Sequence, residues 1–149
     1  MVRATASVHI NAPGERVFEL YANPANWPRV FPKIQAVRVV REVGDEKVVE
    51  VDHVDEGKVI NVMRVVSATR IDLGETRRRY DAMFTNTIEA EPGGTRFTVS
   101  AEVRLKGFFR LAELFVKPVA RLQIRRFVLM PMKNVAENVP PADQPLGAP

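Results

Sequence analysis

Between Thr95 and Leu105 the sequence alternates without interruption. Phe97, Val99, Ala101, Val103 and Leu105 fall on one side, and Arg96, Thr98, Ser100, Glu102 and Arg104 on the other. A period of two is the side-chain period of an extended strand, and one apolar face beside one polar face marks an antiparallel sheet wetted on a single side. The dry side needs a cover. The residues that follow offer one: from Phe109 to about Asn138, Leu111, Leu114, Phe115, Leu122, Leu129 and Met132 recur at helical spacing. Pro118 should fall near the start of this helix or kink it, and Pro131 should bend it.

Upstream of that strand the same alternating texture persists. Candidate strands are Ile34–Arg41, Lys47–Val54, Lys58–Ser67, Thr69–Leu73 continuing toward Arg79, and Ala82–Glu91. Gly44-Asp45, Glu56-Gly57 and Pro92-Gly93-Gly94 supply turns between several of them. At the start, Thr5–Ile10 reads as a strand that Asn11-Ala12-Pro13 stops, with Asn11 or a neighbour available as a helix cap. Val17, Phe18, Leu20 and Tyr21 then follow at helical spacing. Asn23-Pro24 breaks that helix, and a second short one runs through Trp27 to Pro32. The order is one strand, two short helices, six strands and one long helix, an α+β domain over residues 1–138. Residues 139–149 carry four prolines and read as a flexible tail. Because a curved sheet cannot lie flush on a straight helix along its whole length, this arrangement leaves room for a hollow between them.

Composition removes several kinds of chemistry. With no cysteine, disulfide frameworks and thiol nucleophiles are excluded, and the chain suits a reducing, cytoplasmic setting. The opening MVRATASVHI is no signal peptide, and no run of roughly 18 apolar residues suggests a membrane span. His9 and His53 are the only histidines and lack partners at ligand spacing, so no metal is expected. No phosphate-binding or dinucleotide glycine motif occurs, so no cofactor is expected either. The net charge of +4 comes from 22 basic residues interleaved with 18 acidic ones. Aromatic residues do not alternate with the basic ones, which argues against nucleic acid. The basic residues Arg110, Lys117, Arg121, Arg125 and Arg126 on the terminal helix would suit peripheral contact with an anionic membrane.

The stretch Val8–Val40 resembles the opening of the START-like, birch-pollen-allergen-like superfamily, and in particular its polyketide cyclase/dehydrase and coenzyme Q-binding branches. The likeness rests on Ala12-Pro13 after the first strand, Val17-Phe18 in the first helix, and Asn23 to Trp27-Pro28. Gly93-Gly94-Thr95 before the last strand and the terminal helix with Pro118 extend it to about residues 5–137. The resemblance implies a helix-grip fold, with a curved seven-stranded antiparallel sheet wrapped around the long C-terminal helix. It also implies a small lipophilic ligand, such as a lipid, a quinone or an aromatic polyketide-like molecule, held between sheet and helix. The alternative it implies is an aromatase/cyclase-dehydratase acting in the same cavity.

Two polar residues are candidates for chemistry. In VVEVDHV, Val49, Val51 and His53 share the apolar phase, so His53 is either a hydrogen-bonded histidine near a strand end or a pocket group able to exchange a proton near neutral pH. In VINVMRVV the two phases, Ile60/Val62/Arg64 and Asn61/Met63/Val65, are equally apolar and periodicity cannot choose between them. The resemblance favours Arg64 pointing inward, since aromatase/cyclases carry a pocket arginine on the corresponding strand, where it would polarise a carbonyl. Ile34 stands where those enzymes have a tyrosine, and Asn86 where an aromatic is expected, so carriage ranks ahead of cyclisation. Trp27, Phe31, Ile34, Val51, Ile60 and Val62 are the expected apolar lining from the first half of the chain. Phe84, with Tyr80 and Asn86 in the same phase, adds a strand from the second half, and Phe115, Phe127 and Met130 add the helix.

Overall fold

A computed structural model of the chain describes residues 1–138; the tail expected at 139–149 lies outside the described residues. The strands are β1 (Val2–Ile10), β2 (Ile34–Val43), β3 (Glu46–His53), β4 (Gly57–Ser67), β5 (Arg70–Thr76), β6 (Tyr80–Glu91) and β7 (Gly94–Leu105). They form one seven-stranded antiparallel sheet in the order β1-β7-β6-β5-β4-β3-β2. The first strand thus crosses to the far edge beside the last, and every other neighbour is a hairpin partner. Register shifts in the edge strand β2, between Ile34 and Ala36 and between Val39 and Arg41, mark bulges, which bend a strand and increase its twist.

Between β1 and β2 lie α1 (Gly14–Ala22), a short 3-10 turn (Pro24–Asn26) and α2 (Trp27–Val30). Pro13, not Asn11, occupies the cap position of α1: its carbonyl accepts the amides of Arg16 and Val17, while Asn11 Oδ1 faces His9 Nε2 instead. Val17, Leu20 and Tyr21 are the buried face of α1. Asn23 then caps the 3-10 turn through Ala25 N. Trp27 is fully enclosed and donates its indole N–H to the Tyr21 carbonyl at 2.8 Å. Tyr21 touches Trp27, Phe31 and Phe97 at ring separations of 6.0–6.1 Å, tying both short helices to β7.

After β7, a 3-10 segment (Gly107–Ala112) leads into α3 (Glu113–Ile124), a π-helical turn (Arg125–Leu129) and α4 (Met130–Asn138). Ile124, Leu129, Met132 and Ala136 are the fully buried residues of this stretch, with Val116, Ala120, Val128 and Val135 partly buried beside them. The step from Ile124 to Leu129 is five residues and spans the π turn. Its cause is local. In a regular helix the Pro131 ring would strike the carbonyl four residues back, at Phe127, and a widened turn relieves that contact. Met130 N–H correspondingly bonds the Arg125 carbonyl, five residues back. The expected apolar face therefore divides. Leu129 and Met132 are buried as read from the sequence, whereas Leu111, Phe115 and Leu122 lie on the outer surface, 78%, 72% and 61% exposed.

The turn into β7 leaves no space for a side chain at Gly94. A Cβ there would sit 2.1 Å from the Ile10 carbonyl oxygen, where β1 ends against Thr95. Thr95 is fully buried and donates to the Ala12 carbonyl at 2.7 Å, so this crossing fixes the β1–α1 corner. Gly94→Ala is expected to lower stability by about 1–3 kcal/mol, the usual range for forced overpacking. The loss should appear as a lower urea midpoint at unchanged denaturant slope.

Candidate functional site

Directly opposed residues of antiparallel strands share a face, so register decides what points toward the helices. The β3–β4 hairpin pairs His53 with Gly57, Val51 with Val59, and Val49 with Asn61. Gly57 has φ of +70°, a conformation open to glycine at little cost, and it closes this hairpin. Further across, Asn61 faces Glu75 and Met63 faces Leu73. Leu73 faces Phe84 and Ile71 faces Asn86. Phe84 faces Ala101 and Asn86 faces Val99. These rows form the concave side of the sheet.

Between that side and the helices lies a cavity of about 540 Å³. Val51, Val59, Leu73, Phe84 and Val99 form its floor, Trp27, Phe31 and Ile34 one end, and Val119, Ile124, Phe127 and Val128 the helical wall. Phe127 lies between two cations, Lys33 at 5.2 Å and Arg126 at 5.3 Å from the ring centre.

Most of the expected lining residues stand on this cavity: Trp27, Phe31, Ile34, Val51, His53, Tyr80, Phe84, Asn86 and Phe127. Five others do not. Arg64, Ile60 and Val62 occupy the opposite phase of β4 and emerge on the convex face. There the Arg64 side chain is 61% exposed and reaches Asp45 at 3.4 Å. The reason is the β3–β4 register, which hands the inward phase to Val59, Asn61 and Met63 once His53 and Val51 face in. Phe115 points to solvent, and Met130, displaced by the π turn, lies at the surface 36% exposed.

The polar groups on the cavity wall include two that the sequence does not mark as pocket residues. Glu75 and Arg77 continue the alternation of Ile71 and Leu73, and that continuation was the available signal. Arg77 Nε bonds Glu75 at 3.0 Å with both side chains largely buried, and Arg77 Nη1 reaches Glu56 at 3.2 Å. Tyr80 donates its hydroxyl to Glu75 at 3.4 Å, with the Arg77 guanidinium over its ring. Burial, then the charge of Glu75, keep the Tyr80 phenol protonated well above its ordinary range. Tyr21 is held protonated for the same two reasons. Asn61 and Asn86 are both buried on the wall. Asn86 donates to the Ile71 carbonyl at 3.0 Å, while its Oδ1 is enclosed with no hydrogen-bond partner among the described residues. Among the described residues no group of three His, Cys, Asp or Glu side chains stands together to hold a metal.

The two histidines are set apart by their surroundings. His53 Nδ1 accepts the Asp55 amide at 3.2 Å; burial, reinforced by Arg77, lowers its pKa below the ordinary 6.5. His9 lies at the far end of β1, bonded to Glu91 and Asn11, and the Glu91 contact raises its pKa. The fold thus favours neutral His53, and the stability from that preference is present above 6.5 and lost as the pH falls. It favours protonated His9, and that contribution is present below 6.5 and lost as the pH rises through the folded value. An NMR titration of the two imidazoles should show midpoints on opposite sides of 6.5, with His53 the lower. Coincident midpoints would contradict this geometry.

A sheet gripping a terminal helix over a lined hollow defines a class of small-molecule-binding folds. This chain belongs to the polyketide cyclase/dehydrase and lipid transport family, whose sequence profile matches residues 1–137. No curated protein sequence matches it significantly. Among solved structures it is similar to the di-domain aromatase/cyclase BexL from the BE-7585A biosynthetic pathway. The TM-score is 0.76 at 21% identity, over 93% of this chain and 51% of that one, so the chain spans about half the length of BexL. It is also similar to the Zhui aromatase/cyclase from Streptomyces sp. R1128, with a TM-score of 0.75 at 13% identity over 91% and 93% of the two chains. A START superfamily protein from Mycobacterium smegmatis matches with a TM-score of 0.63 at 13% identity over 91% and 97%. At such identities the likeness concerns the fold, which is the helix-grip fold of the START-like superfamily.

Proposed function

We propose that the chain binds, and by binding carries, one small uncharged lipophilic molecule in the cavity between sheet and helices. The observation that carries this reading is the state of the charges around the space. Arg77 is engaged by Glu75 and Glu56, and Lys33 by Asp55 at 2.7 Å, while the floor is aliphatic and aromatic. A charged ligand on that floor would be desolvated away from the one lining cation without a carboxylate partner among the described residues, Arg79, which is exposed at the rim. A volume of about 540 Å³ falls in the range typical of small-molecule sites. The reading requires no metal or cofactor, and it takes the cytoplasm as its setting.

A second reading draws on the Nε2–H of His53, left as a donor because Nδ1 accepts the Asp55 amide, and on the Tyr80 phenol, both on the cavity wall. Such a pair suits cyclisation or dehydration of a poly-ketone chain folded in the same space. Turnover of that substrate lost in His53→Gln, with ligand affinity retained, would favour this reading over carriage alone.

The binding reading is tested with a fluorescent hydrophobic probe. Leu73→Trp extends a large ring from the floor into the space and should weaken probe binding at least about tenfold, roughly 1.4 kcal/mol. Arg64→Ala, on the outer face, should leave it within about twofold. Equal probe affinity in wild type and Leu73→Trp would overturn the assignment.

A further inference from the structure

The segment that walls the cavity carries an outer surface unlike that of a solvated helix. Phe108 (83% exposed), Leu111 (78%), Phe115 (72%), Leu122 (61%) and Val119 (54%) all lie open on the 3-10 segment and α3. At roughly 100° per residue, Phe115, Val119 and Leu122 project within about 60° of one another, so they form one stripe. Val119 belongs both to this stripe and to the cavity lining, which places the stripe at the cavity mouth.

The surrounding charge is predominantly basic. Lys117, Arg121 and Arg125 are exposed on the same helical stretch, as is Arg110 before it, and none pairs with a carboxylate among the described residues. On the other side of the mouth Arg79 lines the cavity, is exposed, and rests on the Phe109 ring at 5.5 Å. The two carboxylates at the mouth, Asp55 and Glu56, are already matched by Lys33 and Arg77.

We infer that this face docks on an anionic lipid bilayer, with the apolar stripe entering the interface and the basic residues meeting the headgroups. Exposed aromatic and aliphatic side chains beside a cluster of cations are the composition of an interfacial amphipathic helix. A protein partner would require shape complementarity, whereas a bilayer needs only a contiguous apolar stripe and a matching field. Docked this way, the mouth bordered by Val119 opens toward the lipid rather than toward water. Docking does not depend on what the cavity holds.

The test uses the full chain and ligand-free vesicles in flotation. One set is phosphatidylcholine alone; the other contains about a third phosphatidylglycerol. The protein should float with the anionic set at low salt and be released as salt rises, because surface attraction is screened within a Debye length. Phe115→Gln/Leu122→Gln should lower partitioning about tenfold, and Lys117→Glu/Arg121→Glu/Arg125→Glu by at least as much. All five positions are exposed, so circular dichroism should show folded variants. Equal partitioning to both vesicle sets, or none to either, would overturn the inference. So would self-association abolished by Phe115→Gln/Leu122→Gln without vesicle binding, since the stripe would then be a contact between copies. Probe uptake in solution reports separately on the cavity, so failure of one reading leaves the other standing.

Discussion

Everything in the candidate site follows from a single parity carried across the sheet. Once Val51 and His53 face the helices, the three-residue hairpin at Val54–Glu56 fixes Val59, Asn61 and Met63 on the same side. Each later register then passes that choice along, through Leu73, Phe84 and Ala101 to Ala4 on the opposite edge. A slip of one residue anywhere would exchange the cavity floor for the outer surface. The inward polar groups are bound by the same rule. Asn61 and Glu75 are direct cross-strand neighbours, and Asn86 stands two positions beyond Phe84 on β6. The chemistry of the hollow is therefore a property of the register as much as of any residue.

The terminal helix solves a different problem. It must seal the sheet near β1 and β7, meet α1 at its far end and still leave the middle open. A uniform helical stripe would turn steadily away from a twisted sheet over so many residues. The π turn inserts one residue, which lets Ile124 face the cavity while Met132 and Ala136, beyond the turn, stay buried in the same core. Pro131 makes the widened turn local and permanent. This also explains why the aromatic-rich first part of the segment is left outside: its phase belongs to the surface once Val116, Ala120 and Ile124 have been chosen as the inner row.

How much of this could be read in advance depended on how one-sided each pattern was. In β7 the polar and apolar phases differ at every position, and in β6 Tyr80, Phe84, Asn86 and Ile88 share one phase, so their directions were legible. β4 is apolar in both phases, and its orientation resides in the hairpin with β3, which sequence periodicity does not report. Periodicity leaves the phase of Arg64 open and resemblance favours it inward, whereas cross-strand geometry turns it out. In sequence, Glu75 is one charge at a strand end and Arg77 opens the run Arg77-Arg78-Arg79, which reads as a solvated face. Their burial becomes visible only when Tyr80 and Glu56 are brought beside them. Phe115 and Met130 have the right residue types for a core, but the phase of a helix with a π turn cannot be counted at a constant period.

The electrostatics of the hollow and of its mouth point the same way. Inside, Arg77 and Lys33 are each engaged by carboxylates, while Arg79, the other lining cation, stands exposed at the rim. A molecule suited to that interior partitions into hydrocarbon more readily than it dissolves in water, and its reservoir in a cell is a membrane. Outside, exposed cations and the apolar stripe border the opening through which such a molecule would pass. If the mouth faced water, entry would require the ligand to cross a hydrated gap at a cost of about 25 cal/mol for each Å² of apolar surface exposed. A mouth set against the bilayer removes that step. On the proposed reading, the apolar interior and the basic rim would be two parts of one transfer route, with the helix between them as both wall and anchor.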